Sequence, residues 1–156
     1  MVIVRGAKDS SLMSNSASIV RLTIPSEFDM LDFVQLVSDR FCAAGTLDED
    51  GVHWVGVAVR ESVINAIKHG NQLDESKHVT VEFALVPGDN PVELVVRVQD
   101  EGEGFDLHDL SDPREPDNLL KSSGRGIFFM RSFMDEVDIR PASEGGIEVR
   151  MVKRLR

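Results

Sequence analysis

The chain has 156 residues, a formal charge of −10 and one cysteine. This length fits a single domain with a core of its own, and the charge argues against general nucleic-acid binding without excluding a nucleotide held by a local basic cluster or a magnesium ion. The lone Cys42 excludes an internal disulfide framework and a multi-cysteine metal site, and its apolar helical surroundings read as those of a small buried hydrophobe.

Residues 1–17 are expected to form a flexible arm with a few ordered residues at its start. Arg5, Lys8 and Asp9 interrupt the short apolar beginning, so no signal peptide is expected. No stretch nears the roughly 20 apolar residues of a bilayer span. The expected protein is soluble and cytoplasmic, with no membrane contact and no direct nucleic-acid contact.

Ser18 to Ile24 alternates, with Val20, Leu22 and Ile24 on one side, and predicts a half-buried strand. Ser26 is placed to cap the next helix, with Asp29 three positions on. Phe28, Leu31, Val34, Val37 and Phe41 then recur at helical spacing. Thr46 and Glu49 are spaced as a capping box for a second helix from about Leu47 to His69. Its middle is apolar on nearly every side (Trp54, Val55, Val57, Ala58, Val59, Val63, Ile64) and predicts burial, with Gly70-Asn71 as the stop.

Val79–Val86 and Val92–Val98, separated by Pro-Gly-Asp-Asn-Pro, predict an antiparallel hairpin. Residues 102–123 are polar, contain two prolines and have no sustained period, which predicts a long functional or disordered loop. A short helix from Gly126 to Met134 and strands at Val137–Arg140 and Ile147–Val152 complete the chain. The order β-α-α-β-β-α-β-β predicts an α/β two-layer sandwich, with helices covering one face of a mixed, mostly antiparallel sheet.

Three stretches carry possible chemistry. Glu61 and Asn65 lie one helical turn apart and point the same way, with Lys68 on the same stripe. A carboxylate can accept a hydroxyl proton, and a carboxamide oxygen suits a hard cation such as magnesium. A base beside a metal-bound phosphate is what phosphoryl transfer to a hydroxyl requires. The same pair also fits a surface ion pair and a hydrogen bond across a helix interface.

Asp100-Glu101-Gly102-Glu103-Gly104 follows a strand directly. Its glycines allow close approach of a ligand, and Asp100 can accept from a base amine, although an ordinary acidic turn has the same composition. Gly124-Arg125-Gly126 opens a helix, where free amides form an anion site or simply start the helix.

In this order the three stretches resemble the Bergerat-fold ATPases shared by histidine kinases, gyrase and Hsp90. They are more similar still to the small bacterial branch of anti-sigma-factor serine kinases. The resemblance rests on Glu61-Ser-Val-Ile-Asn65-Ala-Ile-Lys-His-Gly70, on Asp100, Gly102 and Gly104, and on Gly124, Gly126 and Ile127-Phe-Phe-Met130. Phe133-Met-Asp-Glu-Val137 is typical of the small branch.

The resemblance implies an ATPase domain over 18–156 with an ATP lid at about 106–123. It implies ATP and Mg2+ as cofactors, Glu61 as general base toward a partner's serine hydroxyl or toward water, and Asn65 as the magnesium ligand. Asp100 would bind the adenine amino group in a pocket shaped by Gly102 and Gly104, with Gly124 and Gly126 against the phosphates. Arg114, Lys121 and Arg125 are alternative candidates for the basic residue that reaches the terminal phosphate. His69 contacts the ligand or only packs near the helix end.

The implied partners are an anti-anti-sigma factor carrying the phosphoacceptor serine, a sigma factor and a possible second copy of the chain. With only 17 residues before the first predicted strand, no dimerisation helix bearing a phosphoacceptor histidine is expected. One departure stands out. Relatives usually carry a threonine in the last strands that supports the adenine-binding aspartate, and Gly145-Gly-Ile-Glu-Val149 has none. That departure motivates an alternative class of function: a regulatory binding module that uses nucleotide only as a conformational ligand, or has lost it.

Overall fold

The computed structural model describes residues 3–8, 18–43, 47–87, 92–103 and 122–155, and the side chains of all of these except 3–8 and 122–126. The strands are β1 (Ile3–Lys8), β2 (Ser18–Pro25), β3 (His78–Val86), β4 (Val92–Gln99), β5 (Glu136–Pro141) and β6 (Ile147–Leu155). The helices are α1 (Leu31–Ala43), α2 (Glu49–Asn65) and α3 (Ser122–Phe133). A 3-10 turn, Phe28–Met30, leads into α1, and α2 runs on as a π-helical turn, Ala66–Gly70.

The strands form one six-stranded sheet in the order β1-β2-β3-β4-β6-β5, and each described pairing is antiparallel. β1 supplies the ordered start of the N-terminal segment and pairs along all of its length with β2.

Alternation decides which face meets the helices. Leu22 and Ile24 of β2, Val79, Val81 and Phe83 of β3, Leu94, Val96 and Val98 of β4, and Met151 of β6 are buried in one core. Val55, Ala58, Val59 and Val63 of α2 and Leu31, Val34 and Cys42 of α1 close it from above. Because the side-chain period of a strand is two, a slip of one residue would turn this apolar set to water. The core therefore fixes the register as well as the burial. Cys42 is fully buried, and burial pushes its thiol pKa up to about 11, which suppresses the reactive thiolate.

Among the described residues no helix covers the opposite face. Its centre is a cross-strand ladder of alternating charge: Glu82 accepts from Arg21 Nε at 3.0 Å and from Arg97 at 3.1 Å, and Glu148 lies 3.4 Å from Arg97 and 3.2 Å from Arg140. Glu82 is buried. Two guanidinium groups compensate a charge that would otherwise be costly there.

Several local expectations are corrected. The N-cap of α2 is Asp48, whose carboxylate accepts from Gly51 N at 2.8 Å, while Thr46 lies outside the described residues. Ser26 does not cap the 3-10 turn; its hydroxyl is buried and donates to Lys77 O at 2.7 Å. The α-helix ends at Asn65, not near His69, because the backbone widens into the π turn. Trp54, expected inside, is 41% exposed, since α2 is flanked by α1 and α3 and presents that stripe beside α3, away from the sheet.

The cap assignment has a direct test. Asp48→Ala should lower stability by about 1 kcal/mol in urea unfolding, the usual cost of removing a helix cap.

Candidate functional site

α2 is the middle helix of its layer, and its C-terminal half carries Glu61 and Asn65, both half-buried. They are one turn apart, so they share a stripe. Among the described residues no hydrogen bond engages either side chain, and Asn65 caps nothing. Lys68 and His69 are exposed. Partial burial and then the charge of Lys68 hold the His69 imidazole below its ordinary pKa.

The π turn brings this helix against the end of β4. Asn71 N donates to Ala66 O at 2.8 Å, and Leu73 N donates to Ile67 O at 2.9 Å. Gln72 and Leu73 then take left-handed backbone angles, φ 53° and 60°, which reverse the chain toward β3. Non-glycine residues pay roughly 1–2 kcal/mol each for that conformation, so tertiary contacts must hold it.

Asn71 supplies them. It is fully buried, and its Nδ2 donates to Ser26 Oγ at 2.9 Å and to His78 O at 3.0 Å. Its Oδ1 accepts from Glu101 N at 2.7 Å. One carboxamide thus joins the end of α2, the end of β2, the start of β3 and the loop after β4. The sequence reading saw Asn71 only as part of a helix stop. The available signal was a carboxamide directly after His-Gly at the end of an apolar helix, but its partners are 45, 7 and 30 residues away.

Asp100 is buried at the exit of β4. Its Oδ1 accepts from Gly102 N at 2.9 Å and from Ile147 N at 3.1 Å, and its own N donates to Ile147 O at 3.1 Å. Among the described residues both bonds to the carboxylate use Oδ1, which leaves Oδ2 as the acceptor not held by the backbone. In the stretch that lacks the expected threonine, the main chain of Ile147 therefore supports the aspartate directly. Burial raises the Asp100 pKa above its ordinary value, against the lowering effect of the Gly102 and Ile147 amides and of Lys77.

Three glycines make this packing possible. A Cβ on Gly70 would lie 2.2 Å from Asp100 Oδ2, one on Gly102 would lie 2.0 Å from Gly70 O, and one on Gly146 would lie 2.2 Å from Asp100 O. Gly146 also has φ +80°, in a turn closed by Ala142 N to Gly146 O at 3.0 Å. The sequence reading assigned Gly102 to a pocket. It missed Gly70 and Gly146 as packing partners of the same aspartate.

The structure therefore brings Gly102 to Asp100 and carries the Glu61/Asn65 helix up to both of them through Gly70. Nine residues separate Glu61 from Gly70, about 13 Å of helical rise. Glu101 and Glu103 are both exposed.

Gly124, Arg125 and Gly126 lie within the first two turns of α3, which starts earlier, at Ser122. The amides without intrahelical partners are accordingly those of Ser122 to Arg125. Gly104, Arg114 and Lys121 lie outside the described residues, as does the expected lid up to residue 121. Among the described residues no three His, Cys, Asp or Glu side chains gather into a metal-binding group, and no helix is long and apolar enough to cross a membrane.

A helix with a paired acid and amide, running into a buried aspartate ringed by glycines on a helix-covered sheet, defines a Bergerat-type nucleotide-binding fold. Residues 24–153 match the histidine kinase-like ATPase domain, and the chain belongs to that family. It is 26% identical to the serine-protein kinase RsbW of Bacillus licheniformis over 149 residues, covering 92% of this chain and 89% of that one. It is 33% identical to the anti-sigma F factor of Clostridium perfringens over 105 residues, covering 65% and 71% of the two chains. The anti-sigma F factor of Heyndrickxia coagulans is 37% identical over 101 residues, covering 62% and 65%.

Two measurements check this geometry. Asn71→Ala should cost about 3 kcal/mol in urea unfolding, because it leaves the Glu101 amide and the His78 carbonyl without a buried partner. Asp100→Asn keeps the acceptor for both amides and removes a desolvated charge, so it should be at least as stable as the native chain at pH 7. The raised folded-state pKa means that folding favours the protonated carboxyl. The advantage of the Asn variant should therefore be full above the folded pKa and fade as pH falls toward the ordinary 3.8, which paired melting curves across pH will read.

Proposed function

We propose that the chain is an anti-sigma factor and an ATP-dependent protein-serine kinase that phosphorylates an anti-anti-sigma partner and sequesters a sigma factor. The observation that carries this reading is the joining of two sites by one helix. Glu61 and Asn65 stand half-buried and without partners among the described residues, on a helix whose end packs on Asp100. Its relatives, a serine-protein kinase RsbW and an anti-sigma F factor, support both halves of the proposal.

In this reading Asp100 Oδ2 accepts a hydrogen bond from the adenine amino group, while the backbone holds Oδ1. The nucleotide then extends along α2 toward Glu61, with Gly102 and Gly104 on the adenine side. The free amides at the start of α3, those of Ser122 to Arg125, face the phosphates, and Gly124 and Gly126 leave room for them, since free N–H groups at a helix start favour anions. Asn65 offers its carbonyl oxygen to magnesium. The ion would supply positive charge to offset that of the phosphates. With no acidic cluster among the described residues, most of its other ligands would be phosphates and water, the usual arrangement for this ion.

Glu61 orients the acceptor serine and takes its proton. One of Arg114, Lys121 and Arg125 stabilises the charge on the terminal phosphate. The alternative reading, a regulatory module without catalysis, was motivated by the missing threonine. The Ile147 amide on Asp100 weakens that motive, because the aspartate is supported without a side chain from the last strands.

The test is phosphotransfer from labelled ATP with magnesium to an anti-anti-sigma protein from the same genome. Glu61→Ala should abolish transfer and retain most nucleotide binding, and Asn65→Ala should weaken only the magnesium-dependent part of binding. Wild-type transfer by Glu61→Ala would reject the base, and absence of ATP-analogue binding by the native chain would reject the enzyme.

A further inference from the structure

A strip of aromatic rings crosses from α2 to α3. Trp54 stacks on Phe133 with centroids 4.3 Å apart and planes 12° apart. Phe133 lies parallel to Phe129 at 6.2 Å, and Phe129 meets Phe128 edge-on at 6.1 Å. Trp54, Phe128 and Phe129 are nonetheless 41%, 44% and 41% exposed. The core of the sheet is complete without them, since Val55, Val59 and Val63 fill the inward face of α2. Ordered aromatic groups left in water are the composition of a recognition surface, and stacking holds them ready at little entropic cost.

Their position relative to the site decides the occupant. Trp54 is seven residues before Glu61, two turns along one stripe of α2 and about 10 Å away. A macromolecule that presents a hydroxyl to Glu61 therefore has Trp54 within reach of its surface. The margin is acidic on the α2 side, while Arg131 is exposed on α3 one turn after Phe128. Asp50 is exposed one turn before Trp54 on the same stripe, and Glu49 is exposed one turn before His53.

We propose that Trp54, Phe133, Phe129 and Phe128 form the docking platform for the phosphoacceptor protein, which inserts an apolar anchor flanked by a basic residue facing Asp50. The inference rests on the phosphotransfer reading and adds to it where the protein substrate binds. Anchoring two turns from Glu61 sets the reach of the serine, so contacts remote from the chemistry orient the hydroxyl.

Trp54 is the only tryptophan and the chain has no tyrosine, so its emission reports on the strip. The full chain is assayed with an unphosphorylated anti-anti-sigma protein that the native chain phosphorylates. Adding this acceptor should shift Trp54 emission to the blue, and adding ADP alone should not. Trp54→Ala and Phe129→Ser should each raise KM for the acceptor about tenfold, as expected for loss of an interface anchor, with kcat within about threefold and ADP affinity within about twofold. Asp50→Lys should raise the same KM about threefold and flatten its salt dependence.

An unchanged acceptor KM in both aromatic variants overturns the proposal. So does an equal loss of ADP affinity in both, which assigns the strip to helix packing. Loss of sigma-factor binding or of a dimer with transfer intact gives the strip to those partners and also overturns it. A native chain that binds ADP but phosphorylates no such protein overturns the phosphotransfer reading itself, and the docking platform falls with it.

Discussion

The buried carboxamide of Asn71 is the contact on which the rest of the site depends. A helix end, two strand ends and a loop come together there, each with a main-chain or hydroxyl group that must be satisfied away from water. Hydrophobic burial brings α2 onto the sheet but leaves it free to slide or rotate by small amounts, because apolar contact is not directional. Hydrogen bonds at 2.7 to 3.0 Å to three separate segments remove that freedom. They also hold the left-handed pair Gln72 and Leu73, which the chain needs to leave the helix and enter β3 in so few residues.

With that end of α2 fixed, the distribution of polar groups follows. Glu61 and Asn65 are only half-buried, and Asp100 tolerates deeper burial because two amides share its Oδ1. The raised pKa of Asp100 marks the remaining cost of that burial. Burial costs there are a pattern common to sites built for a ligand, and they agree with the proposed role of Asp100. On the far face of the sheet, Glu82 is buried with two arginines around it. The two carboxylates differ in role because one is fully compensated by side chains and the other is not.

Periodicity made the core legible in advance. Leu22, Ile24, Val79, Val81, Phe83, Leu94, Val96 and Met151 all lie on the face that alternation assigns to the interior, since strand geometry allows only two directions. The acid and amide of α2 and the Asp100-Gly102 pair were legible as motifs because their members are near one another in sequence. The misses have a common cause. Gly70 and Gly146 act through contacts with Asp100, 30 or more positions away, and Asn71 reaches Ser26 and Glu101 over 45 and 30 positions, distances that nothing local in the chain encodes. Trp54 was misread for a related reason: apolar character says that a side chain prefers company, not whether the company is a core, a neighbouring helix edge or another molecule. Ser26 is not a cap because its hydroxyl donates to Lys77 O, and the helix expected to be capped at Thr46 is capped by Asp48.

The support of Asp100 by main-chain amides also predicts where natural variation can accumulate. An amide is carried by every residue except proline, so the groups that hold Asp100 through positions 102 and 147 do not depend on side-chain chemistry. Position 147 can exchange isoleucine for other apolar residues that fit its buried place, because its amide is unchanged by the exchange. The glycines have no such latitude, because a single carbon atom at 70, 102 or 146 would occupy space already taken by the aspartate or by the backbone beside it. Drift in this pocket should therefore be tolerated at 147, whose contribution is an amide and apolar bulk, and be severe at 70, 102 and 146, where the packing needs the absence of a side chain.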